Sequence, residues 1–157
     1  MTKDVLVTIS GLHVDVLEGA GDNDSIEVIT PGSYYLRNGK HYVLYEEVTE
    51  GIVGVTKNKI KITGQDSMEI IKSGVSNAHM VFEKHKTNQT YYDTPFGQML
   101  VGVNTRNLEV SVTEKNIDVR IDYELDVNHE PLADCKIRMN ITSKTGGDFS
   151  MSAGIPN

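Results

Sequence analysis

Chemistry needs polar side chains held where water is scarce, and Glu47 and Lys72 best fit that description in this sequence. Counting from Val43 and Tyr45, Glu47 falls on the apolar parity of its strand, and successive strand residues point to opposite faces. A carboxylate there needs a cation or several hydrogen-bond donors, because burying an unpaired charge is expensive. Lys72 shares parity with Met68 and Ile70 and is the partner the pattern offers. Together they would form a polar anchor inside a ligand cavity. The alternative is that the strand ends near Tyr45 and leaves Glu47 at a solvated rim.

Around that pair, Tyr34, Tyr45, Tyr92, Met80 and Phe82 are the residues expected to line the cavity wall, with Tyr91 and Tyr123 as further aromatics. Tyrosine has an apolar body and a polar tip, so each of these also suits ordinary core packing. The candidate ligand-binding set is therefore Tyr34, Tyr45, Glu47, Lys72, Met80, Phe82 and Tyr92.

Other constellations carry less. His79, Glu83 and His85 share a parity, but a zinc site needs ligands converging within about 2 Å of the ion. His79 and His85 stand roughly 20 Å apart along an extended strand. No metal site is expected, and the group reads as a solvated face. Cys135, the single cysteine, shares parity with Ile137, Met139 and Ile141 and reads as a small buried hydrophobe. Asp22-Asn23-Asp24 lacks the later glycine and glutamate of a calcium loop and reads as a turn. There is no Gly-Lys-Thr phosphate loop, Gly-x-Ser-x-Gly elbow, dinucleotide fingerprint or His-Glu-x-x-His. No catalytic residue and no cofactor are assigned.

Composition sets the outer limits. A chain of 157 residues, 38% hydrophobic and 24% charged, suits one soluble globular domain. The net charge of −7 argues against nucleic acid and against anionic membranes as partners. A lone cysteine makes no internal disulfide, which fits a reducing compartment. The start, Met1-Thr2-Lys3-Asp4, lacks the pattern of a secretory signal, and no apolar run approaches the roughly 20 residues of a membrane helix. A cytoplasmic location is expected, and the sequons at Asn88 and Asn140 are expected to be chance matches.

The elements that must position these residues are strands. From Ile117 to Val127 apolar residues alternate with Asp118, Arg120, Asp122, Glu124 and Asp126, which predicts a long strand with one dry and one wet face. A first strand is predicted over Asp4 to Leu17 with a bulge at Gly11, followed by a turn from Glu18 to Ser25. A second starts at Ile26 to Ile29 and is interrupted near Pro31-Gly32. Asn38-Gly39 between two apolar runs predicts a two-residue hairpin, because both turn residues must take φ > 0. That turn sets Tyr35 opposite Tyr42 and Tyr34 opposite Val43.

Further along, Val53 to Thr56, a turn at Lys57-Asn58, and Lys59 to Thr63 read as another hairpin. Ser67 to Lys72, His79 to Lys86 and Thr90 to Asp93 read as strands, with a turn at Thr94 to Gly97. Gln98 to Thr113 is long, with a parity slip at Arg106-Asn107. Asn128 to Asp134 reads as a loop, Cys135 to Thr142 as the last strand, and 145–157 as a flexible tail rich in Gly and Ser. The prediction is an all-β, antiparallel meander of eight to ten strands over residues 1–144, closed into a barrel rather than left with open edges.

Several of these segments, in their order and spacing, resemble the YwiB-like family of small, uncharacterised bacterial proteins. They are Tyr34-Tyr35 before Asn-Gly, Tyr45-Glu46-Glu47, Met80-Val81-Phe82-Glu83, Tyr92-Asp93-Thr94-Pro95-Phe96-Gly97 and Asp122-Tyr123-Glu124-Leu125. The resemblance implies a lipocalin-like (calycin-type) β-barrel and a cytoplasmic bacterial setting. It implies no activity. One departure is Lys72-Ser73-Gly74 before the Met-x-Phe strand, where the pattern expects an arginine: the charge is kept and the planar fork is lost.

Two readings follow. In the first, the barrel is a non-enzymatic binder of a small, largely apolar molecule. In the second, the barrel is solid and acts as an interaction or homodimerising module through Tyr35, Tyr42 and Leu44, apolar residues on the wetter face of their hairpin. An enzyme on a calycin-like barrel stays open as a third reading and would require two titratable groups facing each other in a cavity.

Overall fold

The structure, a computed structural model, describes residues 2–11, 27–48 and 51–144. Within them lie ten strands: β1 (Thr2–Ser10), β2 (Glu27–Arg37), β3 (Lys40–Glu47), β4 (Thr56–Ile62), β5 (Ser67–Gly74), β6 (Ala78–Glu83), β7 (Lys86–Thr94), β8 (Gly97–Val112), β9 (Asn116–Val127) and β10 (Glu130–Ser143). They form one antiparallel sheet in the order β6-β5-β4-β3-β2-β1-β10-β9-β8-β7. Chain neighbours pair throughout, and β1 joins β10 to bring the two ends of the meander together. The sheet's edges, β6 and β7, come back side by side, joined by a bridge between Asn77 and Asp93. The result is a barrel with one incomplete seam.

Alternation explains why these segments curl around a core. On β9, Ile117, Val119, Ile121, Tyr123 and Leu125 are buried, while the intervening acids and Arg120 face out. On β4, Thr56, Asn58, Ile60 and Ile62 point in, and Lys57, Lys59 and Lys61 point out. An apolar inside and a charged outside is the reverse of a lipid-facing barrel.

The hairpin at Asn38-Gly39 forms with φ of 54° and 75°, pairing Tyr35 with Tyr42 and Tyr34 with Val43. The slip in β8 is a register shift between Thr105 and Asn107, which gives a long strand the extra twist a barrel requires.

Four segments differ from expectation. β2 runs unbroken through Pro31-Gly32: Pro31 pairs with Leu6 of β1, and the ladder to β3 stops at Ser33, so the missing N–H is not needed. β4 is continuous through Lys57-Asn58, and no hairpin forms there. Strand β7 begins at Lys86, because His85 takes a φ of 66° and closes a tight turn without glycine; His85 therefore leaves the strand face assigned to it. Strand β10 begins at Glu130 after a two-residue turn at Asn128-His129, with φ of 52° and 69°, and a register shift between Pro131 and Ala133 had disguised it as a loop. Strand β1 ends at Ser10. The second half of the first predicted strand, the turn containing Asp22 to Asp24 and the 145–157 tail lie outside the described residues.

Candidate functional site

The ladder sets Tyr45 of β3, Asn58 of β4, Lys72 of β5 and Ala78 of β6 opposite one another in turn. All four point inward and are buried. Directly opposed residues on one face place their Cβ atoms about 4.5–5.5 Å apart, so these side chains form one transverse row. Glu47 and Thr56 form the next row, at the rim. Across the seam, the Asn77–Asp93 bridge brings Tyr92 level with this row.

Lys72 is the unusual member. Its side chain is 5% exposed, against 48% for Glu47. The Lys72 ammonium donates to Asn58 Oδ1 at 2.8 Å and to Glu47 Oε1 at 3.1 Å. Asn58 Nδ2 donates to the same Glu47 oxygen at 3.2 Å. Tyr45 and Tyr92 face the same carboxylate: burial raises both phenols, and the Glu47 charge adds to the shift, taking Tyr92 up to about 12. One half-exposed carboxylate at the end of a strand therefore answers a donor-rich inner row. Strand β3 runs on to Glu47 rather than ending near Tyr45, so Glu47 keeps the inner parity and yet sits half-exposed at the rim.

The other candidates are distributed through the core. Met80 and Phe82 are fully buried on β6, and Phe82 meets Tyr123 edge-on, with ring centroids 5.3 Å apart. Tyr123 hydrogen-bonds Cys135, and burial raises both groups. Tyr34 lies away from this cluster; its hydroxyl shares a 2.7 Å hydrogen bond with His41 Nδ1. Burial pushes Tyr34 up to about 12 and lowers His41. His79 turns outward to Glu69 on β5, 2.5 Å away. Among the described residues, no three His, Cys, Asp or Glu side chains are placed to share a metal ion. An open cleft of about 350 Å³ lies by the β4–β5 and β6–β7 turns, lined by residues that include Lys84, Glu109, Asp118 and Arg120; its charges are mixed in sign and do not converge.

Sequence reasoning missed Asn58, the residue that ties Lys72 to Glu47. Its neighbour Lys57 made the dipeptide look like a turn. The signal was present in the period-2 run Thr56, Asn58, Ile60, Ile62 against Lys57, Lys59, Lys61.

Among the described residues, ten antiparallel strands, apolar within and charged without, with a polar cluster near a rim, define a β-barrel. The chain belongs to the family described as a domain of unknown function (DUF1934), which it matches over residues 9–139. It is similar to the uncharacterized beta-barrel protein YwiB of Bacillus subtilis (strain 168), being 27% identical over 120 residues, which cover 76% of this chain and 82% of that protein. The crystal structure of the ywiB protein from Bacillus subtilis superposes with a TM-score of 0.70 at 18% identity, covering 90% of this chain and 92% of that one. At that identity the superposition speaks for the fold alone.

Proposed function

We propose that the barrel binds a small, largely apolar molecule whose carboxylate takes the place of Glu47 on Lys72. One observation carries this reading: a lysine almost fully buried inside an apolar barrel is neutralised by a carboxylate that is itself half in water. Lys72 and Asn58 both donate to the same Glu47 oxygen, and the Tyr45 and Tyr92 phenols lie near enough to feel its charge. Glu47, at the last position of β3, can rotate outward and regain its hydration. An incoming carboxylate then keeps the ammonium paired, so the exchange avoids stranding a buried charge. Below this cluster the core is filled, with Met68, Met80 and Phe82 each 0% exposed, so the apolar body of the ligand would enter only where these side chains part.

Native mass spectrometry of the protein purified from its source tests this. The expected result is an adduct that, once extracted, proves to be an organic acid. An adduct-free protein that also shows no heat of binding with decanoic acid would remove the reading.

A second reading, a homodimer, is favoured by the outer wall. Tyr35 and Tyr42 stack with ring centroids 4.8 Å apart and planes 5° from parallel. Leu44 sits beside them, and on the same outer face Leu6 and Ile29 are exposed. Sedimentation velocity over a range of concentrations reads this directly; a single monomeric species throughout would dismiss it.

A further inference from the structure

The connection from β3 to β4 is apolar where loops are ordinarily polar. Of its described residues, Val48 is 73% exposed, Val53 100% and Val55 39%, and Ile52 is half-buried beside them. Single exposed valines are ordinary on a protein surface. Four apolar side chains in one short loop make a patch, and a patch marks a place where something docks.

The end of this loop is held in place by the β5–β6 turn. Val75 N–H donates to Val55 O at 3.2 Å, and Ser76 N–H donates to Thr56 Oγ1 at 3.1 Å. The Val75 side chain lies against Gly54, where a Cβ would stand 3.0 Å from Val75 Cγ2. Val75, itself half-buried, therefore joins the apolar residues of the loop.

The patch adjoins the carboxylate site. Glu47 stands opposite Thr56, and Thr56 opposite Gly74, in the row at the rim. Val48, Val55 and Val75 are the chain neighbours of those three residues on the solvent side, and consecutive Cα atoms are only about 3.8 Å apart. On the inner side of the row the core is filled: Met68, Met80 and Phe82 are fully buried. A ligand whose carboxylate sits on Lys72 thus meets packed side chains on one side and exposed valines on the other. Parting the core sacrifices packing. Covering the valines removes apolar surface from water without that loss.

We infer that Val48, Val53, Val55 and Val75 form an external shelf for the body of the bound molecule, and that this molecule is an aliphatic carboxylic acid of medium chain length. Its carboxylate reaches in to Lys72, and its hydrocarbon chain lies along the rim. The four side chains are aliphatic and carry no polar atom, which matches a hydrocarbon chain. This rests on the carboxylate-binding reading above and names the class of ligand.

Calorimetry with hexanoic, octanoic and decanoic acids, on the wild type and on the double variant Val48→Ser/Val53→Ser, tests the shelf. Both valines are exposed, so the fold does not depend on them. A fully buried CH₂ is worth about fourfold in affinity, and a chain on a shelf, wet on its other side, should gain about twofold per CH₂. The double variant should lose most of that gain, with decanoic acid weakened about fivefold and hexanoic acid by less. Equal binding of the three acids by the wild type overturns the shelf and leaves the carboxylate reading standing. A chain-length gain that the double variant keeps in full also overturns it, because the chain then enters the core. Sedimentation velocity on both proteins covers the remaining occupant: a wild-type dimer that the double substitution dissolves, with acid binding unchanged, gives the patch to a second copy and overturns the shelf. Binding of none of the acids overturns the parent reading and the shelf with it.

Discussion

Replacing either member of the Lys72–Glu47 pair should give very unequal results, because the two ends are solvated so differently. In Glu47→Gln the Lys72 ammonium stays in place, with its side chain 5% exposed. It keeps Asn58 Oδ1 and an amide oxygen as acceptors but loses its counter-charge. Breaking a fully buried pair costs about 3–5 kcal/mol. Glu47 is half in water and the amide preserves a hydrogen bond, so about 2 kcal/mol is the reasoned loss. In Lys72→Met the burden falls the other way. Glu47 returns to solvent, Asn58 Oδ1 loses a donor at about 1–2 kcal/mol, and relief of the buried ammonium offsets most of that. The net change should stay within about 1 kcal/mol. For a domain of this size each kcal/mol moves the melting temperature by about 2–4 °C. Glu47→Gln should therefore melt about 4–8 °C lower, and Lys72→Met within about 4 °C of the wild type. Thermal unfolding followed by circular dichroism at neutral pH gives both numbers. If Lys72→Met proves the more damaging, or Glu47→Gln leaves the melting point untouched, the assignment of solvation across this pair is wrong.

Three further outcomes follow from the same geometry. Burial lowers His41 from its ordinary 6.5; below about pH 6.5 the unfolded chain takes up a proton that the folded chain resists, so stability falls with acidification through that window. His41→Gln should flatten this dependence in urea titrations at stepped pH, and an unchanged slope would refute it. At the alkaline end, Tyr34 and Tyr92 are raised to about 12 from 10.0. Their contribution is intact below 10.0 and lost as pH climbs through 12, so the tyrosinate absorbance of the folded protein should lag that of the unfolded chain; coincident curves would contradict the burial. Finally, Gly74 has a φ of 129°, and a Cβ there would lie 2.3 Å from Val55 O, whereas a Cβ on Gly102 would meet only the Asp126 carboxylate. Gly74→Ala should destabilise by about 2 kcal/mol or more and Gly102→Ala by less than about 1; equal denaturant midpoints would count against the β5–β6 turn as described.

Much of this fold was legible because strands that are dry on one face must alternate. Strand β9, the Asn38-Gly39 hairpin and the slip before Asn107 follow from side-chain period and turn chemistry alone. The pairing of Glu47 with Lys72 came from parity, which carries across strands once the register is known. Three of the four misreadings share one cause: a residue whose type signals a turn sat inside a strand because the neighbouring strands made room; the fourth is the reverse, His85 closing a turn without a turn residue's signal. Asn58 is held by Lys72 and Glu47, Pro31 lies where the β3 ladder has already stopped, and Pro131 falls at a register shift. The seam between β6 and β7 was not legible at all. Whether two adjacent strands ladder depends on where the other eight put them, and no local pattern encodes that.

The central claim is that Glu47 holds the place of a ligand's carboxylate on Lys72. Isothermal titration of decanoic acid against the wild type, Glu47→Gln and Lys72→Met tests it most directly. Binding should tighten several-fold in Glu47→Gln, where no displacement is needed, and be lost in Lys72→Met. If the two substitutions weaken binding alike, or neither changes it, Glu47 is not a competitor and Lys72 is not the anchor.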